Sequence, residues 1–243
     1  NPRPRLFRLE EDNGLINRLG FNNIGLEDIC KNISNNIDSS RTNKLGINIG
    51  PNKESKNRID DYIKSLVNVD KLSDYITINV SSPNTPNLRD FENQEIDTLL
   101  REIQNNRLSN KPIFVKLSPD IDNTQLALAI ESILKFNLDG LILTNTTNTR
   151  NFKLKSRFQD QEGGLSGEPL LKLSNEKLSF AYSITKGAIP IIGTGGIFSG
   201  KDVYEKMKLG ANLVQLYTSF VYEGPSLIRN INNEIISLME EEG

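Results

Sequence analysis

Six times along this chain a short apolar, β-branched run is followed by an amphipathic stretch of helical length, which confines the fold to βα units around a parallel sheet. The strand candidates are Leu45–Ile49, Tyr75–Val80, Ile113–Leu117, Gly140–Thr144, Pro190–Gly193 and Leu213–Tyr217. The helices read as Ser55–Leu66, Ile96–Gln104, Asn123–Phe136, Leu170–Thr185, Lys201–Leu209 and Leu227–Met239. No composition break or Pro/Gly-rich linker interrupts the series, so residues 1–243 are expected to form one domain. Such a length suits an α/β barrel, but a closed barrel needs eight strands and only six are found. The front segment, Asn1–Cys30, cannot supply both missing strands. Asn1-Pro2-Arg3-Pro4-Arg5 should be extended, because residues before proline avoid the helical region, and the stretch after it is short and mixed. The expectation is either a six-unit open sheet or a barrel whose first two strands precede Asn1. A first residue that is Asn rather than Met, with no signal peptide in view, favours an incomplete front.

Absences narrow the chemistry. With no histidine there is no Ser-His-Asp triad, no imidazole base and no His-ligated metal. The single Cys30 allows neither an internal disulfide nor a thiolate zinc site, so no metal centre is expected. Cys30 lies in a helix-like segment, Gly25–Cys30, where a lone cysteine reads as a small buried hydrophobe. The lone thiol fits a reducing compartment. A net charge of −2 argues against nucleic-acid binding through bulk charge, and no apolar run approaches membrane-spanning length. The groups left for chemistry are Ser, Thr, Tyr, Lys, Asn, the acids, backbone amides and whatever an organic cofactor supplies.

In a parallel barrel the active site is built on the loops at the C-terminal ends of the strands. After the second strand comes Asn79-Val80-Ser81-Ser82-Pro83-Asn84-Thr85-Pro86-Asn87-Leu88-Arg89, small hydroxyls and amides stiffened by prolines. A polar turn explains that composition, and a binding loop explains its position as well. Lys116 stands inside the otherwise apolar third strand and needs a partner. The partner is either a carboxylate across the barrel mouth or an anionic cofactor or developing negative charge. The fourth strand ends in Leu143-Thr144-Asn145-Thr146-Thr147, which can cap the next element or read the hydrogen-bonding edge of a small heterocycle. Two glycine-rich loops come next, Gly163-Gly164-Leu165-Ser166-Gly167 in a long connection and Gly193-Thr194-Gly195-Gly196 after the fifth strand. Each is a tight turn or an anion cradle. The second, with Gln215-Leu216-Tyr217-Thr218 at the last strand, fits the usual phosphate position of such barrels, and the two glycine loops plus Tyr217-Thr218 point to a phosphate-bearing cofactor such as FMN. The acids do not form a catalytic pair. Glu10, Glu11, Asp12 and the Glu240-Glu241-Glu242 tail read as surface charge.

Together these loops resemble one family, the class 2, quinone-linked dihydroorotate dehydrogenases. The resemblance runs through Asn1–Leu9, Leu15–Asn23, Gly46–Gly50, Asn79–Thr85, Gly163–Gly167 and Pro190–Gly196, and so covers essentially the whole chain. It implies a TIM-type (β/α)8 barrel in which the six strands are the third to eighth. It also implies FMN as cofactor, oxidation of dihydroorotate to orotate in pyrimidine biosynthesis, and a quinone as acceptor. Carried over by position, Ser82 is the base that removes the C5 proton while the flavin takes hydride from C6. The class 1 enzymes place Cys there, so Ser82 favours class 2. Asn17, Asn79, Asn84, Asn145 and Thr146 would bind the pyrimidine and its carboxylate, with Arg18, Leu19, Gly20 and Phe21 lining the same site. Asn48, Asn79, Lys116 and Thr144 would contact the isoalloxazine, Lys116 stabilising the reduced flavin. Gly167, Gly195, Gly196, Tyr217 and Thr218 would hold the FMN tail and phosphate.

A serine is a poor base at neutral pH, and without histidine a relay through Thr85 and ordered water is the expected remedy. The resemblance departs at the front. The family's membrane-associating N-terminal helices, the first two strands and a substrate-contacting lysine have no counterpart here. Peripheral attachment to the bacterial cytoplasmic membrane or the mitochondrial inner membrane would depend on that missing part. Three rivals stand beside this reading. They are another FMN barrel such as a tRNA dihydrouridine synthase, disfavoured by the charge and the lone Cys30; an aldolase-like barrel with Lys116 as Schiff base; and a non-catalytic flavin- or phosphate-binding scaffold.

Overall fold

The computed structural model describes residues 1–38, 40–52, 54–84 and 95–242. The chain opens with β1 (Leu6–Leu9), β2 (Gly14–Asn17) and α1 (Leu26–Asn36). The βα units then begin: β3 (Gly46–Ile49) with α2 (Arg58–Val69), β4 (Tyr75–Asn79) with α3 (Ile96–Asn105), and β5 (Ile113–Leu117) with α4 (Asn123–Lys135). After them come β6 (Gly140–Leu143), β7 (Gly164–Gly167), α5 (Leu171–Thr185), β8 (Ile191–Thr194), α6 (Gly200–Lys208), β9 (Leu213–Gln215), α7 (Thr218–Glu223) and α8 (Ser226–Glu242). All six strands expected from the sequence form one parallel sheet in the order β3-β4-β5-β6-β8-β9, a curled half-barrel.

The strands of this sheet are almost continuously apolar because helices cover one face and packed side chains fill the other. In register, Ile49 pairs with Ile78, Ile78 with Val115, Val115 with Leu141 and Leu117 with Leu143. The main core joins these strands to Tyr62 and Leu66 of α2, Leu99 and Ile103 of α3, Ile130 and Ile133 of α4, and Leu178 of α5. Capping sets several helix starts. Asn57 accepts the Asp60 N–H, so α2 begins at Arg58 rather than Ser55, and Asp122 accepts the Gln125 N–H at the head of α4. Ser199 and Asp202 form a reciprocal capping box on α6. Cys30 is half-buried against the main core, more open than expected.

Two features differ from the sequence reading. The front segment is a β-hairpin that lies outside the parallel sheet: β1 pairs antiparallel with β2, and β2 with β7. The loop Gly163–Gly167 is accordingly a strand over most of its length. Its glycines are required by the closeness of β2: a Cβ on Gly163 would stand 2.3 Å from the Asn17 carbonyl oxygen, and one on Gly167 2.2 Å from that of Asn13. A small separate core of Phe7, Leu9, Ile16 and Leu165 holds this sheet together. Asp12 is more than surface charge, since its carboxylate accepts the Lys155 and Ser156 N–H groups and ties the β6–β7 connection to the hairpin.

Candidate active site

The C-terminal ends of β3, β4, β5, β6, β8 and β9 open onto one cavity of about 690 Å³, walled on the remaining side by the residues after β2 and by β7. Strand alternation aims Asn48, Asn79, Lys116 and Thr144 into it from neighbouring strands, with Asn79 and Lys116 directly paired across β4 and β5. Among the described residues lining it, Lys116 is the single charged side chain.

A polar web holds the β4 end. The Asn79 side-chain oxygen accepts hydrogen bonds from Ser81 N (3.2 Å) and Asn145 Nδ2 (3.1 Å), and the buried Tyr62 hydroxyl donates to the Asn79 carbonyl at 2.7 Å. Ser81 Oγ donates onward to the Lys116 carbonyl at 2.7 Å. With its oxygen occupied, Asn79 turns its amide donors to the cavity. Opposite, Asn84 Nδ2 donates to Asn17 Oδ1 at 3.1 Å, joining the loop after β4 to the end of β2. Ser82 is buried on the cavity wall, and among the described residues its Oγ accepts a long 3.4 Å contact from Asn84 N. The loop after β6 is held from below, where Asp120 accepts from Thr147 Oγ1 and from Asn148 N. Arg150 binds it from the side, donating to the carbonyls of Thr147, Thr149, Gln161 and Gly163.

Lys116 has no ion-pair or hydrogen-bond partner for its ammonium among the described residues, and burial alone pushes its pKa down from 10.5 to about 8. Among the described residues no carboxylate stands across the barrel mouth from Lys116, and the cation faces the cavity. Two hydroxyls are also left over: Thr144 Oγ1 and Ser219 Oγ are buried on the wall with no partner among the described residues. Gly195 and Gly196 have φ of +112° and +79°, and a Cβ on Gly196 would stand 2.4 Å from the Leu171 Cα. This backbone turn packs tightly on the start of α5 and shows its other side to the cavity. An unpaired cation, two orphan hydroxyls and a backbone turn without side chains suit an anionic, hydrogen-bonding organic group of roughly flavin size. They do not suit a metal, and no cluster of metal-ligating side chains occurs among the described residues.

The cavity gathers nearly every residue singled out from sequence: Asn17, Leu19, Gly20, Phe21, Asn48, Asn79, Ser82, Asn84, Lys116, Thr144, Asn145, Thr146, Gly167, Gly195, Gly196, Tyr217 and Thr218. Arg18 is the exception. Its guanidinium stacks on Phe7 at 4.7 Å and bonds Gln161 and the Glu162 carbonyl, which turns it into an adjacent cleft. Thr85, the expected relay residue, lies outside the described residues. Sequence reasoning missed Ser219, Phe198 and Asn22 on the wall; Ser219 sits in the first turn of α7, a helix too short to leave a periodic signal.

The family model for dihydroorotate dehydrogenase matches residues 1–239. The chain belongs to the dihydroorotate dehydrogenase family. It is 41% identical over 251 aligned residues to a dihydroorotate dehydrogenase (quinone) of Xanthobacter autotrophicus, covering 100% of this chain and 70% of that protein. It is 43% identical over 241 residues to the enzyme of the same name from Pseudoalteromonas translucida, covering 95% and 71%. A crystal structure of a ligand-free DHODH from Eimeria tenella superimposes with a TM-score of 0.95 at 34% identity, covering 100% of this chain and 74% of that one. Dihydroorotate dehydrogenases are flavin-dependent, and the size and lining of the cavity are compatible with such a group. Membership of this family displaces the aldolase-like and tRNA-modifying readings.

Proposed function

We infer that this chain is the catalytic domain of a class 2 dihydroorotate dehydrogenase, oxidising dihydroorotate to orotate through FMN with a quinone as acceptor in pyrimidine biosynthesis. The observation that carries the chemistry is Lys116, without a partner among the described residues, lining one cavity with several side-chain amides and the buried Ser82. A bound flavin supplies the two-electron acceptor for the C6 hydride of dihydroorotate. The remaining work falls to the protein. Asn17, Asn79, Asn84, Asn145 and Thr146 offer donors and acceptors to a small pyrimidine without adding charge, fixing its face and register. Ser82 Oγ takes the C5 proton, so loss of that proton and the C6 hydride leaves the C5–C6 double bond of orotate. Lys116 places a fixed positive charge where negative charge accumulates on reduction. Asn48 and Thr144 would complete the wall around the isoalloxazine; Gly167, Gly195, Gly196, Tyr217 and Thr218 would hold the FMN tail and phosphate.

The six parallel strands are, in this reading, the third to eighth of a closed eight-stranded barrel, and residues 1–243 are one FMN-binding domain. The support is the sheet itself, which ends at β3 and β9 with unpaired edges, Leu213 of β9 being 62% exposed. Two further strands from sequence beyond these residues would bridge them. Because quinones are lipid-soluble, the enzyme works at a membrane surface, bacterial cytoplasmic or mitochondrial inner, attached through residues beyond these. No described helix is long and apolar enough to cross a membrane.

The test is the absorbance spectrum of the full-length protein under anaerobic conditions. Dihydroorotate should bleach the flavin band, and a quinone, but not fumarate or NAD, should restore it. A flavin that ignores dihydroorotate would leave only a flavin-binding scaffold.

A further inference from the structure

Lys206, in α6, is fully buried, and its role is not that of an ordinary surface lysine. Its stem runs beneath β8, where a Cβ on Gly193 would meet the Lys206 Cδ at 3.2 Å. Its ammonium donates to Ser174 Oγ at 2.8 Å and to Asn175 Oδ1 at 2.7 Å, both in the first turns of α5. Ser174 Oγ in turn donates to the Thr194 carbonyl at 2.7 Å, which also accepts the Thr144 N–H at 2.9 Å. Directly above this relay lies the Gly195–Gly196 turn, where a Cβ on Gly195 would touch Ser174 Cβ at 3.2 Å. Neither contact of the ammonium is an anion. Among the described residues no carboxylate lies within ion-pair distance, and the Asp202 carboxylate on the same helix is taken by Ser199 and the Phe198 N–H. A neutral donor would serve Ser174 equally well, so the charge calls for another explanation. A buried cation under a backbone turn complements an anion seated on top of that turn.

We propose that Lys206 is a positioning residue for the phosphate end of the flavin site, setting the Thr194 carbonyl and the Gly195–Gly196 turn through Ser174 and placing a positive charge beneath them. This rests on the FMN reading above. Burial lowers the Lys206 pKa to about 8, with Asp202 and Glu205 opposing the shift, so the charge is present at neutral pH.

The experiment separates phosphate recognition from general stability. Flavin-free full-length protein, wild type and Lys206→Met, is titrated with FMN and with riboflavin, which lacks the phosphate, and bound flavin is followed by its fluorescence. The expected result is an FMN Kd raised about tenfold or more in the variant with riboflavin affinity within about twofold, so that the preference for FMN collapses. Equal weakening of both ligands, or an unchanged FMN Kd, would overturn the proposal. If the wild type binds no FMN, the cofactor reading fails and this inference with it. Should Lys206→Met not fold, Ser174→Ala decides alone: a reduced FMN-over-riboflavin preference is expected, and an unchanged one refutes the relay.

Discussion

Replacing Lys116 with Met should make the flavin-free protein more stable while disabling it. The lysine is held in the cavity with no partner among the described residues, and desolvation brings its pKa from 10.5 to about 8. At 1.36 kcal/mol per pKa unit, this is a penalty of roughly 3 kcal/mol at neutral pH, trimmed to about 2–3 by water in the cavity. Methionine keeps most of the stem volume and removes the charge, so the variant should gain about that much in urea unfolding at pH 7. The sign comes from proton counting. Between pH 8 and 10.5 the unfolded lysine keeps a proton that the folded one has shed, so this residue makes the wild type gain stability as pH rises through that window. The penalty is full below pH 8 and gone above 10.5. The difference between variant and wild type should therefore be largest at about pH 7 and shrink by about pH 10. With FMN bound, reduction by dihydroorotate should slow by orders of magnitude, because the fixed cation is lost. A variant equal or less stable at about pH 7, or a difference that does not shrink by about pH 10, would show that Lys116 is not a desolvated charge.

Ser82→Ala should leave FMN bound and the fold unchanged while slowing flavin reduction by dihydroorotate about 100-fold or more in stopped flow; unchanged reduction removes Ser82 from the chemistry. Gly196→Ala forces a side chain onto the Leu171 backbone at positive φ, and should cost roughly 2–3 kcal/mol in urea unfolding as well as most FMN affinity. Arg150→Lys loses the guanidinium fork that gathers four carbonyls of the β6–β7 connection. It should raise the KM for dihydroorotate and expose that connection to proteolysis, with a stability loss of about 1–3 kcal/mol. Tyr62→Phe, which deletes the buried hydroxyl beneath Asn79, should cost about 1 kcal/mol in unfolding free energy and raise the same KM.

Much of this molecule is written in local pattern. Strands buried on both faces must be apolar along their length, so β3, β4, β5, β6, β8 and β9 stand out between amphipathic helices, and each terminus differs from its reading by no more than a few residues. Parallel topology then dictates that all their C-terminal ends face the same way. Polar residues at and just after those ends, Asn79, Ser82, Lys116, Thr144 and Asn145, therefore had to share one cavity. The missing histidines and the lone cysteine limit the chemistry whatever the fold.

Other decisions belong to long-range contact, which no local window contains. The antiparallel sheet β1-β2-β7 pairs residues about 150 positions apart, and its glycine strand looks like a loop until the Asn13 and Asn17 carbonyls are seen pressing on it. The direction of Arg18 is set by the Phe7 ring and the 161–162 backbone rather than by its neighbours in sequence. Whether Lys116 met a carboxylate or stood alone was open in the sequence; packing gives it no partner among the described residues. Lys206 carries the same lesson further. In sequence it is one charge on a charged helix, and only the approach of α5 and β8 desolvates it and turns it into a strut beneath the glycine turn. Local sequence determines what each segment becomes, because propensity and periodicity act within a few residues. Tertiary structure decides which charges lose their water and which backbones touch, because those quantities exist only after distant segments have met.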